Sequence, residues 1–415
     1  MIELRDYQID ISNKACKILQ TSNFVYLALE VRTGKTLTSL NIANSMGAKS
    51  VLFVTKKKAI DSILGDYKNL DPSYKLDIIN YESIHKIDSN NIDILIVDEA
   101  HCFGSFPKPS NRARSIRDVV VKNNYCKVIF LSGTPTPESY SQMYHQMWVL
   151  GRGSPFYRYT NFYKWSKDYV DIRQKKINSL FINDYSRGIK DKIDREVNPY
   201  TISFTQKEAG FETNVEEEVI YVDVPEVIER LTDDLVRDRV IEGKKEVILA
   251  DTGAKLMQKL HQLYSGTVIF ESGASMIVSD FKAKFIRERF NGKRIAIFYK
   301  FKAELLAIQL EFGDSVTTDL PTFQNGLCDN FAIQIVTGRE GINLSVADNI
   351  VFYNIDFSAT SYWQSRDRMT TKSRTDNKVY WIFTKGGIEE KIYKLVNKKK
   401  NYTLSHFKKN YSVDK

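Results

Sequence analysis

The sequence predicts an α/β protein built as two successive parallel-sheet units, and three observations carry that expectation. Short β-branched runs alternate with helical stretches, the pattern that crossover helices impose on parallel strands. The alternation occurs twice, in the first third of the chain and again in the last, with an aromatic-rich middle between. The apolar runs of the first third end in polar or small residues, where an open sheet presents its ligand-binding edge.

In chain order, FVYLALE (24–30), VLFVT (51–55), IDILIVD (92–98) and KVIFLSG (127–133) read as buried strands of the first unit. From Ser139 to about Lys192 the chain is expected to be helical or irregular. Its aromatics (Tyr157, Tyr159, Phe162, Tyr163, Trp165) are read as packing. EEEVIYVDV (216–224) reads as a strand, PEVIERLTDDLVRDRVIE as a long amphipathic helix, and MQKLHQLYSG (257–266) as a helix in which His261 is packed. RIAIFYK (294–300), FAIQIVTG (331–338), NIVFYNI (349–355) and VYWIFTK (379–385) form the second set. The division is placed at 1–200 and 201–415.

Composition narrows the function classes. A chain of 415 residues that is 42% hydrophobic and 27% charged is an ordinary globular protein with material for more than one core. No apolar run reaches membrane-spanning length, and MIELRDYQ is charged from its third residue, so neither membrane nor secretion is expected. Four cysteines and five histidines are scattered singly, which suggests no zinc site and a reduced, cytoplasmic setting. The net charge of +9 favours a polyanionic partner, and the tail from KIYKLVNKKK onward concentrates the excess.

Three segments carry chemistry. EVRTGKT (30–36) follows an apolar strand and opens a helix, so backbone N–H groups and a helix N-terminus face a phosphate. Lys35 supplies a point charge there and the Thr36 hydroxyl a Mg²⁺ ligand. ILIVDEAH ends a strand in Asp98, Glu99, Ala100 and His101. Triphosphate hydrolysis needs one carboxylate for the metal, here Asp98, and another group to orient the attacking water, here Glu99. LSGTPTP (131–137) closes the next strand with Ser132 and Thr134, small hydroxyls suited to bonding Asp98 or His101 across neighbouring strand ends.

With these in order, the chain resembles superfamily 2 helicases and translocases, and within them the Swi/Snf-like branch and its compact phage relatives. The resemblance implies two tandem RecA-like domains with a helical middle segment, ATP and Mg²⁺ as cofactors, and DNA as partner. LRDYQ (4–8) resembles the adenine-recognition element, with Arg5 and Gln8; Arg32, Thr33, Gly34, Lys35 and Thr36 match the phosphate loop. Leu29 stands where the general phosphate-loop pattern has an early glycine, which Swi/Snf-like members also lack. Arg32 replaces a glycine or small residue common there. VLFVTKKK and NYESIH resemble the first domain's strand-contacting segments, giving Thr55, Lys56, Lys57, Asn80 and Tyr81 as nucleic-acid contacts.

In the second domain the resemblance adds Lys300 and Lys302, then TGREGINL with Arg339, Gly341 and Asn343. WQSRDRMTTKSRT (363–375) is similar to the family's Q-x-x-x-R-x-x-R, with Gln364 coupling to the DEAH box and Arg368 reaching the triphosphate. The second arginine of that pattern would fall at Thr371. Arg368 alone, Lys372 or Arg374 through a shifted helix, or slow hydrolysis are the three ways to meet that departure.

The expectation is a monomeric ATP-dependent DNA translocase or helicase acting in replication, recombination or repair, in a bacterial cytoplasm if phage-encoded. It would grip DNA through backbone contacts without sequence preference. An ATP-switched nucleic-acid clamp with slow turnover and an RNA helicase are the alternatives.

Overall fold

The computed structural model describes residues 3–86, 91–177, 180–210, 214–243, 245–338, 342, 344–358, 361–362, 365 and 376–398; for 175–177, 180, 214 and 376–377 it describes backbone only. The chain divides into two units, Met1–Phe211 and Glu212–Lys415.

The first unit is a six-stranded parallel sheet: β1 (Phe24–Leu29), β2 (Ser50–Thr55), β3 (Lys75–Asn80), β4 (Ile94–Asp98), β5 (Lys127–Leu131) and β6 (Thr201–Phe204), in the order β3-β2-β4-β5-β1-β6. The central strands are buried on both faces, as continuous apolar runs require. Among the connecting helices are α1 (Asp6–Thr21) ahead of β1, α2 (Lys35–Ser45), α3 (Ile60–Leu70) and α4 (Asn111–Lys122). Gln8 closes the start of α1 by accepting the Arg5 N–H at 3.0 Å. Ser110 caps α4 by accepting the Ala113 N–H at 3.2 Å.

The register fixes what meets at the sheet edge. Thr55 pairs with Asn80, Val54 with Val97, and Asp98 with Leu131. All strands run in parallel, so every C-terminal end, and every polar residue just past it, lies along one edge.

The second unit repeats the plan with β7 (Asn214–Val222), β8 (Ile295–Tyr299), β9 (Val316–Thr317), β10 (Asn330–Gln334), β11 (Asn349–Phe352) and β12 (Asp376–Thr384). Their order is β9-β10-β8-β11-β12-β7, again parallel throughout. These are two tandem α/β units, each built on a six-stranded parallel sheet.

The expected division at 200/201 and the observed one at Phe211/Glu212 differ by the length of β6 and the turn after it. Tyr26 to Leu29 pair with Thr201 to Phe204, which ties that strand to the first sheet. The middle segment packs short helices at Met143–Trp148, Phe162–Tyr169 and Lys190–Val197 with an antiparallel ribbon at Arg173–Ile177 and Leu180–Asp184. Trp165, Phe162 and Phe156 are buried there, whereas Tyr157 and Tyr163 are exposed. The helix expected over 225–242 stops at Asp238, because Arg239 turns left-handed and the chain enters a two-stranded ribbon.

Candidate active site

At the end of β1 the chain turns through Glu30–Gly34 into α2. Gly34 adopts φ +80°, which favours glycine, and a Cβ there would have to displace the Gln8 side-chain amide. The Gln8 side chain is buried and its Nε2 donates to the Gly34 carbonyl at 3.3 Å, bringing the α1 element onto the loop. Arg5 lies at the entry to α1 and donates to the Tyr7 hydroxyl at 2.8 Å; the Tyr7 ring stacks on Phe204 of β6. Within the loop, the Thr33 hydroxyl donates to the Glu30 carbonyl at 2.7 Å, and Lys35 Nζ reaches the same oxygen at 3.3 Å. Thr36 follows in the first turn of α2, whose N-terminus has no side-chain cap at Gly34. Its leading N–H groups therefore have no side-chain acceptor at that position.

Asp98 ends β4 two strands away. Its Oδ2 accepts from the Thr55 hydroxyl of β2 at 2.9 Å, and its backbone carbonyl accepts from the Tyr81 hydroxyl. Burial first and the neighbouring Glu99 second push its carboxyl up to about 6, while Lys35, Thr55 and Lys56 pull it down. Glu99 itself adopts φ +53°, a left-handed conformation that a side-chain-bearing residue keeps only under constraint. The His101 Nδ1 lies 3.2 Å from Glu99 Oε2 and 3.0 Å from the Ser132 hydroxyl just past β5. The Thr134 N–H donates to that same hydroxyl at 3.1 Å. Ser132 thus links His101 and Thr134 across the ends of β4 and β5, with the Glu99 carboxylate close to the same imidazole nitrogen.

Gly133 lies against Lys35: a Cβ on it would lie 3.6 Å from the Lys35 ammonium and 3.5 Å from the Leu29 carbonyl. The phosphate loop, the acidic pair and the SGTP turn are therefore brought together on one edge. A cavity of 330 Å³ opens beside them, lined by Glu30, Gly133, Thr136 and Phe204. A larger one of 770 Å³, lined by Arg117, Tyr125, Trp148 and Arg152, sits instead where β1 and β5 begin.

These residues fit a magnesium nucleotide. The Thr134 Oγ1 is buried and has no hydrogen-bond partner among the described residues, a polar atom open to a bound group. Two adjacent carboxylates raise the cost of ionising both, which a cation would lower. Among the described residues no group of three or more His, Cys, Asp and Glu gathers as a metal cluster of its own. No helix among them is long and apolar enough to cross a membrane.

The expected nucleic-acid contacts are placed variously. Lys57 is exposed in the turn after β2, and Lys56 is half-buried beside it. Thr55 is buried on Asp98, and Tyr81 is buried behind it. Asn80 donates to Glu82 at 3.1 Å, and Glu82 pairs with Arg112. In the second unit Lys300 pairs with Asp356 at 2.7 Å and lies 4.1 Å from the Phe357 ring centre, while Lys302 is exposed. His261, read as packed, is fully buried and bonds Asn354 through its Nε2 at 2.6 Å. Arg339, Gly341, Asn343, Gln364, Arg368, Thr371, Lys372 and Arg374 lie outside the described residues.

Comparison with known proteins gives similarities of three kinds. Residues 1–137 match the family model described as Type III restriction enzyme, res subunit. Over 71 residues the chain is 37% identical to the chromatin-remodeling ATPase INO80 of Mycosarcoma maydis. That stretch is 17% of this chain and 4% of that protein, so the chain spans only a small part of this relative's length. Among solved structures, the Sulfolobus solfataricus SWI2/SNF2 ATPase core in complex with dsDNA aligns over 98% of this chain and 92% of that one. The sequence identity there is 16% and the TM-score 0.41.

Proposed function

We infer that this chain, a superfamily 2 protein of the Swi/Snf-like branch, is an ATP hydrolase that couples turnover to movement along, or remodelling of, DNA. The observation that carries the reading is the convergence of Lys35, of Asp98 with Glu99, and of Ser132 from three separate segments onto one edge of the first sheet.

In this reading the first N–H groups of α2 and the Lys35 ammonium receive the phosphates, concentrating fixed positive charge where negative charge develops. Glu99 orients the attacking water and accepts its proton, and His101, tied to Ser132, holds the Glu99 carboxylate in place. Thr36 and Asp98 would hold Mg²⁺, which would offset charge on the transferred phosphoryl group. Thr55 and Tyr81 fix Asp98 by its side chain and its carbonyl. Arg368 and Gln364 complete the hydrolytic set by resemblance alone, and Gly341 belongs to the nucleotide by the same argument.

DNA is the proposed substrate, gripped by its backbone. Lys56, Lys57, Asn80, Lys302, Arg339 and Asn343 are the proposed contacts, with Thr55, Tyr81 and Lys300 acting nearby. The +9 charge supports a polyanionic partner, and the stretch shared with a chromatin-remodeling ATPase supports the choice of DNA over RNA.

The test is steady-state ATP hydrolysis by the whole chain alone and with duplex DNA, single-stranded DNA or RNA. The reading expects strong stimulation by DNA that weakens as salt is raised, and little by RNA. Hydrolysis indifferent to every DNA would contradict the coupled motor and favour a nucleotide-switched clamp.

A further inference from the structure

The phosphate loop is held from outside as well as from within. Two of its residues turn left-handed, Arg32 at φ +64° and Gly34 at φ +80°. Glycine adopts that conformation freely, whereas arginine does so only where its surroundings impose it. The residues just before Arg32 are the ones a distant segment grips.

That segment is Thr205–Gly210, directly after β6. It folds on itself: the Glu208 carboxylate accepts the Thr205 N–H at 2.7 Å and the Thr205 hydroxyl at 2.8 Å. The Ala209 N–H donates to the Thr205 carbonyl at 3.1 Å, and the Gly210 N–H to the Lys207 carbonyl at 3.0 Å. The turn so built presents Gln206 twice. Its backbone N–H donates to Glu30 Oε2 at 2.8 Å, and its side-chain Nε2 donates to the Val31 carbonyl at 2.9 Å. One step earlier, the Glu30 N–H donates to the Phe204 carbonyl at 3.0 Å, extending the β1–β6 ladder into the loop.

We propose that Gln206 is a positioning residue for nucleotide, clamping the phosphate loop through Val31 and Glu30. It rests on the reading of that loop as the ATP site. Gln206 lies beyond residues 1–137, the span of the family match, and outside every motif in the sequence. With the Val31 carbonyl and the Glu30 carboxylate both held, the loop's N–H groups are ordered before nucleotide arrives. Preorganisation of this kind shows in affinity more than in the chemical step. The clamp also ties the loop to the chain that leads into the second unit, since the division falls at Phe211/Glu212.

The experiment compares the whole chain with Gln206→Ala, Gln206→Glu and Lys35→Ala. It measures KM and kcat for ATP, the Kd of a non-hydrolysable ATP analogue with Mg²⁺, and the melting temperature. Gln206→Ala is expected to raise KM and Kd by about five- to tenfold, the loss of one hydrogen bond, with kcat little changed. Gln206→Glu sets a carboxylate oxygen against the Val31 carbonyl and should raise both further. Unchanged KM and Kd in both Gln206 variants, with hydrolysis lost in Lys35→Ala, would overturn the clamp while leaving the ATP site intact. A fall in kcat as large in fold-change as the rise in KM, together with a lowered melting temperature, would overturn it too, as a merely structural role. Hydrolysis persisting in Lys35→Ala would remove the ATP-site reading on which the clamp depends.

Discussion

At the scale of single residues, Asp98 and Glu99 set the character of the site. Asp98 is pushed up to about 6 because burial and an adjacent carboxylate outweigh Lys35 and Thr55. Its folded form therefore holds a proton between pH 4 and 6 that the unfolded form has released. Stability from this group is present below about pH 4 and is lost as pH rises through about 6. His145 has the opposite slope: burial lowers it to about 4, and its Nδ1 lies 2.6 Å from the Ser105 carbonyl. That contribution is lost as pH falls from about 6.5 to 4. In nucleotide-free protein in EDTA, Asp98→Asn should gain stability over the parent as pH rises from 4 to 7, by about 1–3 kcal/mol. Denaturant unfolding across that range measures it. His145 is common to both proteins, so the difference between them isolates Asp98. A difference that does not change with pH would show that Asp98 is not strained by burial and by Glu99.

At the scale of elements, the apolar runs were legible wherever strands are buried on both faces. Within the two six-stranded sheets three strands escaped the sequence, β3, β6 and β9, and so did the short ribbon strands outside them, such as Arg173–Ile177 and Leu180–Asp184 in the span expected to be helical or irregular. The three sheet strands are all edge strands, with a neighbour on one side only. KLDIIN of β3 is exposed or half-buried throughout, and TISF of β6 alternates weakly, so neither has the continuous apolar run that marks a central strand. The Gln206 turn was illegible for a different reason. Its partners are a carboxylate and a backbone carbonyl 176 and 175 residues away, and spacing carries no trace of such bonds. The aromatic middle was read correctly as packing in its inner members. Trp165 is fully buried against Tyr144, Phe156, Phe162 and Tyr169. Trp165→Ala should cost about 3–5 kcal/mol in chemical unfolding, with ATP affinity unchanged in the protein that remains folded. A loss below about 1 kcal/mol would mean that the cluster collapses around the gap and is not a rigid support.

At the scale of the molecule, two parallel sheets each gather their strand ends on one edge, and the chemistry lies on the first. The order GKT, DEAH, SGTP was readable in the sequence because each motif terminates a strand. The fold turns that order into proximity: adjacent strands bring Thr55, Asp98 and Ser132 side by side. The bond expected between Ser132 and His101 is present at 3.0 Å; what the sequence did not supply is that the same imidazole nitrogen also lies 3.2 Å from the Glu99 carboxylate. The measurement that tests the central claim most directly is ATP turnover by Lys35→Ala and Glu99→Gln beside the parent, with nucleotide binding followed in parallel. Both variants should lose at least about 10²-fold in rate, the scale of removing one group that meets transition-state charge. Glu99→Gln should still bind ATP, because it removes the base and leaves the phosphate contacts. Turnover near the parent rate in either variant would contradict an ATP-hydrolysing site at this edge.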